Sequence, residues 1–495
     1  MSKIDGMRRL LSSSIGVTCA AALSLPLVLT ASAAPRAPAA EGASVPGATQ
    51  SIPLGPLAGS GGHRTAVTGD AAGDAAGGDS GLGDGGYSAG RYSVAGYSGG
   101  GPDTDRAAGP PVAERGLERR TVRPFSLAGV VWDDPDAELH GRVQVRTRAT
   151  DTARWSGWQD VETHHREHAP DPDTDERVSG RVRGSTAPLW VGDSDGVEVR
   201  IRAPRRHRTE AAGGQEFPEE FPAGLSLELV DPGAEPPSGG VRPAGAPHLG
   251  APGPEAAAAG VGTDLTPQGA GELPALSRRA TIDQVAGSLP GAKPYIGPRP
   301  RIITRRGWGA DEGLRESGFR YTKKVKAAFV HHTASGNKYR CAQAPSLIRS
   351  IYRYHVVSSG WRDIGYNFLV DKCGTIYEGR AGGVARAVMG AHTLGFNSNS
   401  MGIAVLGSYG SAKPPTRAVK AIAKLTAWKL GLYGANPRGK TYLTSGGGNL
   451  YRKGKKVRLN VISGHRDGFL TECPGRHLYG KLGKARRTAA HYQGR

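Results

Sequence analysis

The sequence predicts an α/β domain at its C-terminal end, a mixed β-sheet covered by helices, preceded by a small all-β sandwich-like module and disordered linkers. Three observations carry that prediction. Buried-strand apolar runs alternate with helically spaced apolar residues after about residue 300, and short period-2 runs cluster between residues 119 and 232. Gly and Pro supply 75 and 35 of the 495 residues, a level that marks much of the chain as linker.

Taken in order, Lys3, Arg8 and Arg9 precede an apolar run from Leu10 to Thr30, and Ala31-Ser32-Ala33 follows it. A basic start, an apolar core and an A-x-A site describe a cleavable secretory signal over residues 1–33, exported by the Sec or the twin-arginine route. Ser12 to Ser14 and Gly16 thin the run and no second apolar span exists, so no stable membrane anchor is expected after cleavage. Residues 34–118 are Gly, Ala, Asp and Ser without period, too poor in branched apolar residues to offset chain entropy, and are expected to be disordered. Tyr87, Tyr92 and Tyr97 recur there without a functional reading.

Residues 119–232 form the β-rich module. Its strands are read in "RVQVRTRA" (142–149), "VEVRIRA" (197–203) and "LSLELV" (225–230), with Trp132, Trp155, Trp158 and Trp190 to fill its core. His164, His165 and His168 stand near Asp171, Asp173 and Asp175, but the segment reads as a polar loop without a defined ligand geometry. Residues 233–300 are a Pro/Gly/Ala-rich linker.

The domain at 301–495 holds 35 Lys and Arg against 8 Asp and Glu, a net +27 in a chain of net +20. "KAAFVHH" ends a strand; Leu347, Ile348, Ile351, Tyr352 and His355 line one helix face; "YNFLVD" and "GIAVLGSY" are buried strands. Thr416 is expected to cap a helix lined by Val419, Ile422, Leu425 and Trp428 and ended by Gly431. "VRLNVI" (457–462) reads as the last strand, and Trp308 as a core residue. The basic charge lies in loops such as "YRKGKKVR" with little aromatic interleaving, which argues against nucleic acid and suits attraction to other anionic polymers.

Four cysteines are present, and Cys19 falls in the signal. Cys341, Cys373 and Cys473 remain, an odd number, which in an exported protein leaves one intermolecular, reactive or metal-bound. Catalytic zinc takes three His, Cys or carboxylate ligands and one open position. "FVHHT" offers His331 or His332 and "SGHRDGFLTECPG" offers His465 and Cys473, each after a predicted strand. Successive strand residues face opposite ways, so one of His331 and His332 points away from any such site. The spacing alone is not specific and leaves a core histidine or a hydrogen-bonded loop open.

The run "WGA" (308–310), "FVHHTASGN" (329–337), "WRDIGYNFLVDKCGTIYEGRAGG" (361–383), "GAHTLGFNSNSMGIAVLGSY" (390–409) and "SGHRDGFLTECPG" (463–475) resembles the peptidoglycan recognition protein family. That family includes the zinc-dependent N-acetylmuramoyl-L-alanine amidases of phage-lysozyme type. The resemblance covers the C-terminal domain only. It implies His331, His465 and Cys473 as Zn2+ ligands, Tyr366 as the residue facing the developing oxyanion, and Thr471 as a second donor where relatives carry Lys or Thr. It implies a Cys341–Cys373 disulfide tying helix to sheet. His392 and Arg380 are candidate substrate-binding residues, Arg380 for a stem-peptide carboxylate.

The expected function is a secreted or cell-wall amidase that cuts between N-acetylmuramic acid and L-alanine of bacterial peptidoglycan. Its alternative is a non-catalytic peptidoglycan-binding recognition protein, since many family members only recognise the wall; the discriminating feature is the metal cysteine, which non-catalytic members typically lack and this chain keeps as Cys473.

Overall fold

The computed structural model describes residues 46–57, 114–163, 165–203, 221–235, 270–286 and 295–495, all within one compact unit, Ser44–Arg495. The expected signal segment, Cys19, the spaced tyrosines and His164 lie outside the described residues.

The N-terminal module is built from β1 (Ala48–Pro53), β2 (Gly55–Pro56), β3 (Glu114–Trp132), β4 (Arg142–Ala149), β5 (Gln159–Val161), the short helix α1 (Asp175–Val178), β6 (Gly184–Ser185), β7 (Leu189–Arg202) and β8 (Ser226–Asp231). The strands hydrogen-bond into one sheet in the order β1-β8-β3-β7-β4-β5, with β2 and β6 also paired to β3. Register shifts between β3 and β7 relieve two long strands of a flat course and let the sheet bend around its core. Val143 and Val145 of β4, Val197, Val199 and Ile201 of β7 and Leu227 and Leu229 of β8 fill that core with Trp132.

Three expectations change here. Ala48–Pro53, Gly55–Pro56 and residues 114–118, expected in the disordered stretch, are strands; β1 pairs with β8 from Ala48↔Asp231 to Pro53↔Ser226. Trp155 and Trp158 do not enter the core. They lie half-exposed beneath Arg119, Arg146 and Arg200, with the Arg200 guanidinium 3.9 Å from the Trp158 ring centre. The expected linker 233–300 contains β9 (Glu272–Leu273) and α2 (Arg278–Ala286), and β9 joins the C-terminal sheet.

The C-terminal domain adds β10 (Ile302–Ile303), α3 (Arg305–Trp308), β11 (Ala327–His332), α4 (Ala344–Arg353), β12 (Phe368–Val370), β13 (Ile376–Glu378), β14 (Ser400–Val405), α5 (Thr416–Leu432), β15 (Lys440–Thr444), β16 (Lys456–Asn460), β17 (Ile462–Gly464), α6 (Arg476–Tyr479) and α7 (Leu482–Gln493). Its sheet runs β17-β11-β14-β12-β13-β10-β9 and is mixed, parallel from β17 to β12 and antiparallel at β12/β13 and β10/β9. Such central parallel strands are buried on both faces, which is why "AAFV" and "GIAV" read as continuous apolar runs.

One face packs on α5 and α7 through Ile422, Leu425, Trp428 and Leu482 against Val330, Ile403 and Val405. Alternate residues on the other face meet α4, whose Leu347, Ile348 and Ile351 share a cluster with Leu127 and Val230 of the β module. The module therefore packs on the α4 side of the sheet. Gly431 does not end α5; it sits in the last turn, where an added Cβ would come within 2.9 Å of Ile296 and Tyr295 backbone. Thr416 is the first helical residue, following Pro415 in extended backbone. "VRLNVI" divides between two sheets, because β16 pairs with β15 whereas β17 pairs with β11.

Candidate metal centre

Strand parity places His331. Ala327, Phe329 and His331 project to one side of β11, while Ala328 and Val330 pack toward α5. His332 turns the other way, and its Nδ1 accepts from the Tyr409 N–H at 3.1 Å. β17 delivers His465 beside it, at the start of a short turn that Asp467 closes by accepting from Gly464 N–H and from the Tyr479 hydroxyl. The loop then returns, with Cys473 N–H donating to Thr471 Oγ1 and Arg466 N–H to the Cys473 carbonyl.

His331, His465 and Cys473 thus meet in one buried cluster, and a fourth residue, His168 of the β module, joins them. One donor atom from each lies within 4.8 Å of all the others. Cys473 Sγ is 3.8 Å from His331 Nδ1 and 3.8 Å from His168 Nε2. Bonds of about 2.3 Å to sulfur and 2.0 Å to nitrogen at the tetrahedral angle give an edge of about 3.5 Å, so these spacings suit zinc.

The unused nitrogens agree. His465 Nε2 donates to the Glu167 carbonyl at 3.1 Å, which leaves a lone pair on Nδ1, and that buried Nδ1 has no protein partner. His331 Nε2 lies 3.5 Å from Thr393 Oγ1, leaving Nδ1 for the cluster. Burial, reinforced by the neighbouring imidazoles, holds His168, His331 and His465 well below their ordinary pKa. They are neutral, the form that ligates a metal. Burial pushes the Cys473 thiol up, so a cation is needed to ionise the sulfur.

Tyr366 is buried beside the cluster, its ring 5.6 Å from His331 and 5.8 Å from His168, and burial raises its phenol well above the usual range. Thr471 Oγ1 donates to Glu167 Oε1 at 2.8 Å. Cys341 and Cys373 form a disulfide that ties the residues before α4 to the turn after β12. Cys473 is the free cysteine of the described residues.

Two expected substrate contacts are placed otherwise. His392 is enclosed beneath His331, its Nδ1 3.0 Å from Thr393 Oγ1 and Nε2 3.4 Å from Ser400 Oγ, and it lines no open groove. Arg380 is neither solvated nor open to a peptide: its guanidinium makes two 2.9 Å bonds to the Glu176 carboxylate of the β module. Because burying a guanidinium demands a counter-charge, the fold supplies one from its own chain.

Residues 165–175 belong to the stretch expected as a polar loop. They form an interdomain contact: the Leu394 N–H donates to the Glu167 carbonyl, Asp171 accepts from Gly395 N–H and Asn397 Nδ2, and the His165 ring stacks 5.8 Å from Trp361. The sequence signal was three histidines within five residues followed by an acidic run. His355, also buried, accepts from Gly365 N–H beside the same ring cluster.

Two family models match the chain: "Rv3811 N-terminal galactose-binding domain-like" over residues 95–223 and "N-acetylmuramoyl-L-alanine amidase" over residues 321–476. Peptidoglycan-recognition protein SC2 of Drosophila simulans is 33% identical over 181 residues, 37% of this chain and 84% of that protein. The Homo sapiens N-acetylmuramoyl-L-alanine amidase is 32% identical over 207 residues, 41% of this chain and 27% of that protein. Among solved structures, Drosophila PGRP-LB is 26% identical, covering 37% of this chain and 92% of its own, with a TM-score of 0.29.

Proposed function

Since the chain belongs, through its C-terminal domain, to the peptidoglycan recognition protein and amidase family, we propose that it is a secreted, zinc-dependent N-acetylmuramoyl-L-alanine amidase. Its substrate would be the amide between N-acetylmuramic acid and L-alanine in bacterial peptidoglycan. The convergence of His331, His465 and Cys473 on one buried point supports this most directly, because two imidazoles and a thiol are donor types that hold a Lewis-acidic zinc. Zinc held by these three residues supplies Lewis acidity toward the amide carbonyl and toward water.

The remaining roles belong to the chain. His465 is fixed in one tautomer by its bond to a carbonyl, so its metal-facing nitrogen stays unprotonated. Tyr366, with its phenol pushed up by burial, keeps its proton at neutral pH and can donate it to oxyanion charge as it develops. Thr471 offers a second hydroxyl donor from the loop that carries Cys473. His392 supports His331 from behind. The net +27 of residues 301–495 favours approach to anionic wall polymers. The leader and the Cys341–Cys373 bridge fit an exported protein, and no helix among the described residues is long and apolar enough to cross a membrane.

Purified protein incubated with peptidoglycan should release new L-alanine amino termini without new reducing ends, and chelator should abolish the release until zinc is restored. Cys473→Ser should lose both bound zinc and activity. Wall binding without any amino-terminal release, unchanged by Cys473→Ser, would establish the binding protein instead.

A further inference from the structure

We propose that the β module supplies a fourth protein ligand, His168, so that the docked chain closes its own metal site and holds the amidase latent. The inference rests on the metal-site reading above and adds a residue from a different module to it. Catalytic zinc sites hold three protein ligands and leave one position for water or substrate, whereas four protein ligands describe a closed, structural site. Here His168 Nε2 stands 3.8 Å from Cys473 Sγ, inside the same cluster as the three other donors. With zinc bound, it would fill the position that a catalytic site leaves for water or substrate.

His168 does not arrive alone. The adjoining Glu167 takes the His465 Nε2 proton donor with its carbonyl and the Thr471 hydroxyl with its carboxylate. One dipeptide therefore engages the fourth position, the proposed second oxyanion donor and the outer nitrogen of a ligand. The His168 ring also stands edge-on to Tyr366. A loop that touched the site by accident of packing would not meet each of these groups with a matching donor or acceptor.

The loop is also fastened at its far end. Glu176 and Arg380 form an ion pair whose side chains are 3% and 4% exposed, and Glu176 accepts from the Arg362 N–H as well. Asp171 accepts from Gly395 and Asn397, and Asn397 Nδ2 donates to the Ala169 carbonyl. These contacts hold residues 167–176 against the domain that carries the other three donors. Withdrawal of the loop would expose the fourth position, Thr471 and Tyr366 together.

Cobalt substitution of the full-length protein tests this without relying on turnover. In the wild type, azide should leave the visible Co2+ spectrum nearly unchanged, because the fourth position is closed in most molecules and only a small open fraction turns over substrate. In His168→Ala, azide should shift the spectrum, and imidazole added to the variant should return it to the wild-type form. Hydrolysis of a soluble muramoyl peptide should rise at least about tenfold in the zinc-loaded variant and fall again with imidazole, since the competent fraction sets the rate.

Imidazole rescue separates a missing ligand from a damaged fold. An azide shift in the wild type equal to that in His168→Ala, or a variant that ignores azide, overturns the proposal. Spectra as expected with no cleavage by either protein uphold the fourth ligand and refute the amidase reading. Failure of both proteins to retain cobalt overturns the metal site and this inference with it.

Discussion

Replacing Glu176 by alanine isolates the strongest fastening of the docked loop. Glu176 and Arg380 are both almost wholly buried, and the substitution leaves a guanidinium in a site built for a counter-charge. Stranding one partner of a buried pair costs about 3–5 kcal/mol. Arg380 keeps its Nε bond to the Ile364 carbonyl and a longer one to the Asp363 carbonyl, which argues for the lower end of that range. Loss of the acceptor for the Arg362 N–H adds roughly 1 kcal/mol. The docked loop should therefore lose about 3–4 kcal/mol, which raises its opening equilibrium by a few hundredfold at 1.4 kcal/mol per decade.

Amide hydrogen exchange reads that opening, because the Leu394 and Gly395 N–H groups of the C-terminal domain donate to Glu167 and Asp171 of the loop. Their exchange should accelerate by roughly the same factor. The Leu406 N–H, which donates to the Val370 carbonyl inside the sheet domain, should not change. Acceleration of Leu394 and Gly395 by less than about tenfold would show that Arg380 does not hold the loop, and the energetic argument would fail.

Two further substitutions address the same seam. Burial, with Glu176 close by, lifts the Asp171 carboxyl to about 6, so the folded chain keeps a proton there that the unfolded chain sheds near pH 4. Stability should therefore fall as pH rises from about 4 to about 6 and level off above, by at most about 2–3 kcal/mol from this group. Asp171→Asn keeps the acceptor oxygen and should flatten that stretch of the urea-midpoint profile; an unchanged slope would refute the assignment. At Gly129 an added Cβ would stand 2.4 Å from the Tyr354 hydroxyl, which donates to Thr186 O of the module. Gly129→Ala should cost roughly 1–3 kcal/mol in a urea melt, and no loss would mean the seam is loose.

What the sequence disclosed and what it withheld divide along a physical line. His331, His465 and Cys473 are recognisable because His331 ends a strand and His465 and Cys473 follow another, each strand's apolar run being local information, and because their motifs occur in the family's order. The mixed sheet and its helices follow from the same local periodicity. β1 escaped notice because "ATQSIP" has little strand preference of its own; β8 provides its partner along all six residues. The division of "VRLNVI" between two sheets escaped as well, since a change of pairing partner leaves no mark in an alternating pattern. His168 and Arg380 depart from the sequence expectation for a related reason. Their environments are made by the other module, and nothing near either residue in the sequence records which surface will cover it.

The acidic run that follows His168 shows how the two modules find each other, and how firmly. Asp173 meets Lys453 at 2.5 Å and Asp175 meets Arg320, both pairs being exposed, while Glu176 meets Arg380 out of solvent. The three pairs cannot contribute alike. Exposed pairs contribute about 0–1 kcal/mol each and are screened within about 10 Å at 0.1 M salt, so they guide the acidic loop toward a domain of net +27 without fixing it there. The buried pair is hardly screened. Salt should thus slow docking and leave the docked state closed, and an anionic polymer can compete for Lys453 and Arg320 but not for Arg380. Opening the site must break the Glu176–Arg380 contact itself, which places control of His168 with that pair rather than with the general charge of the surface.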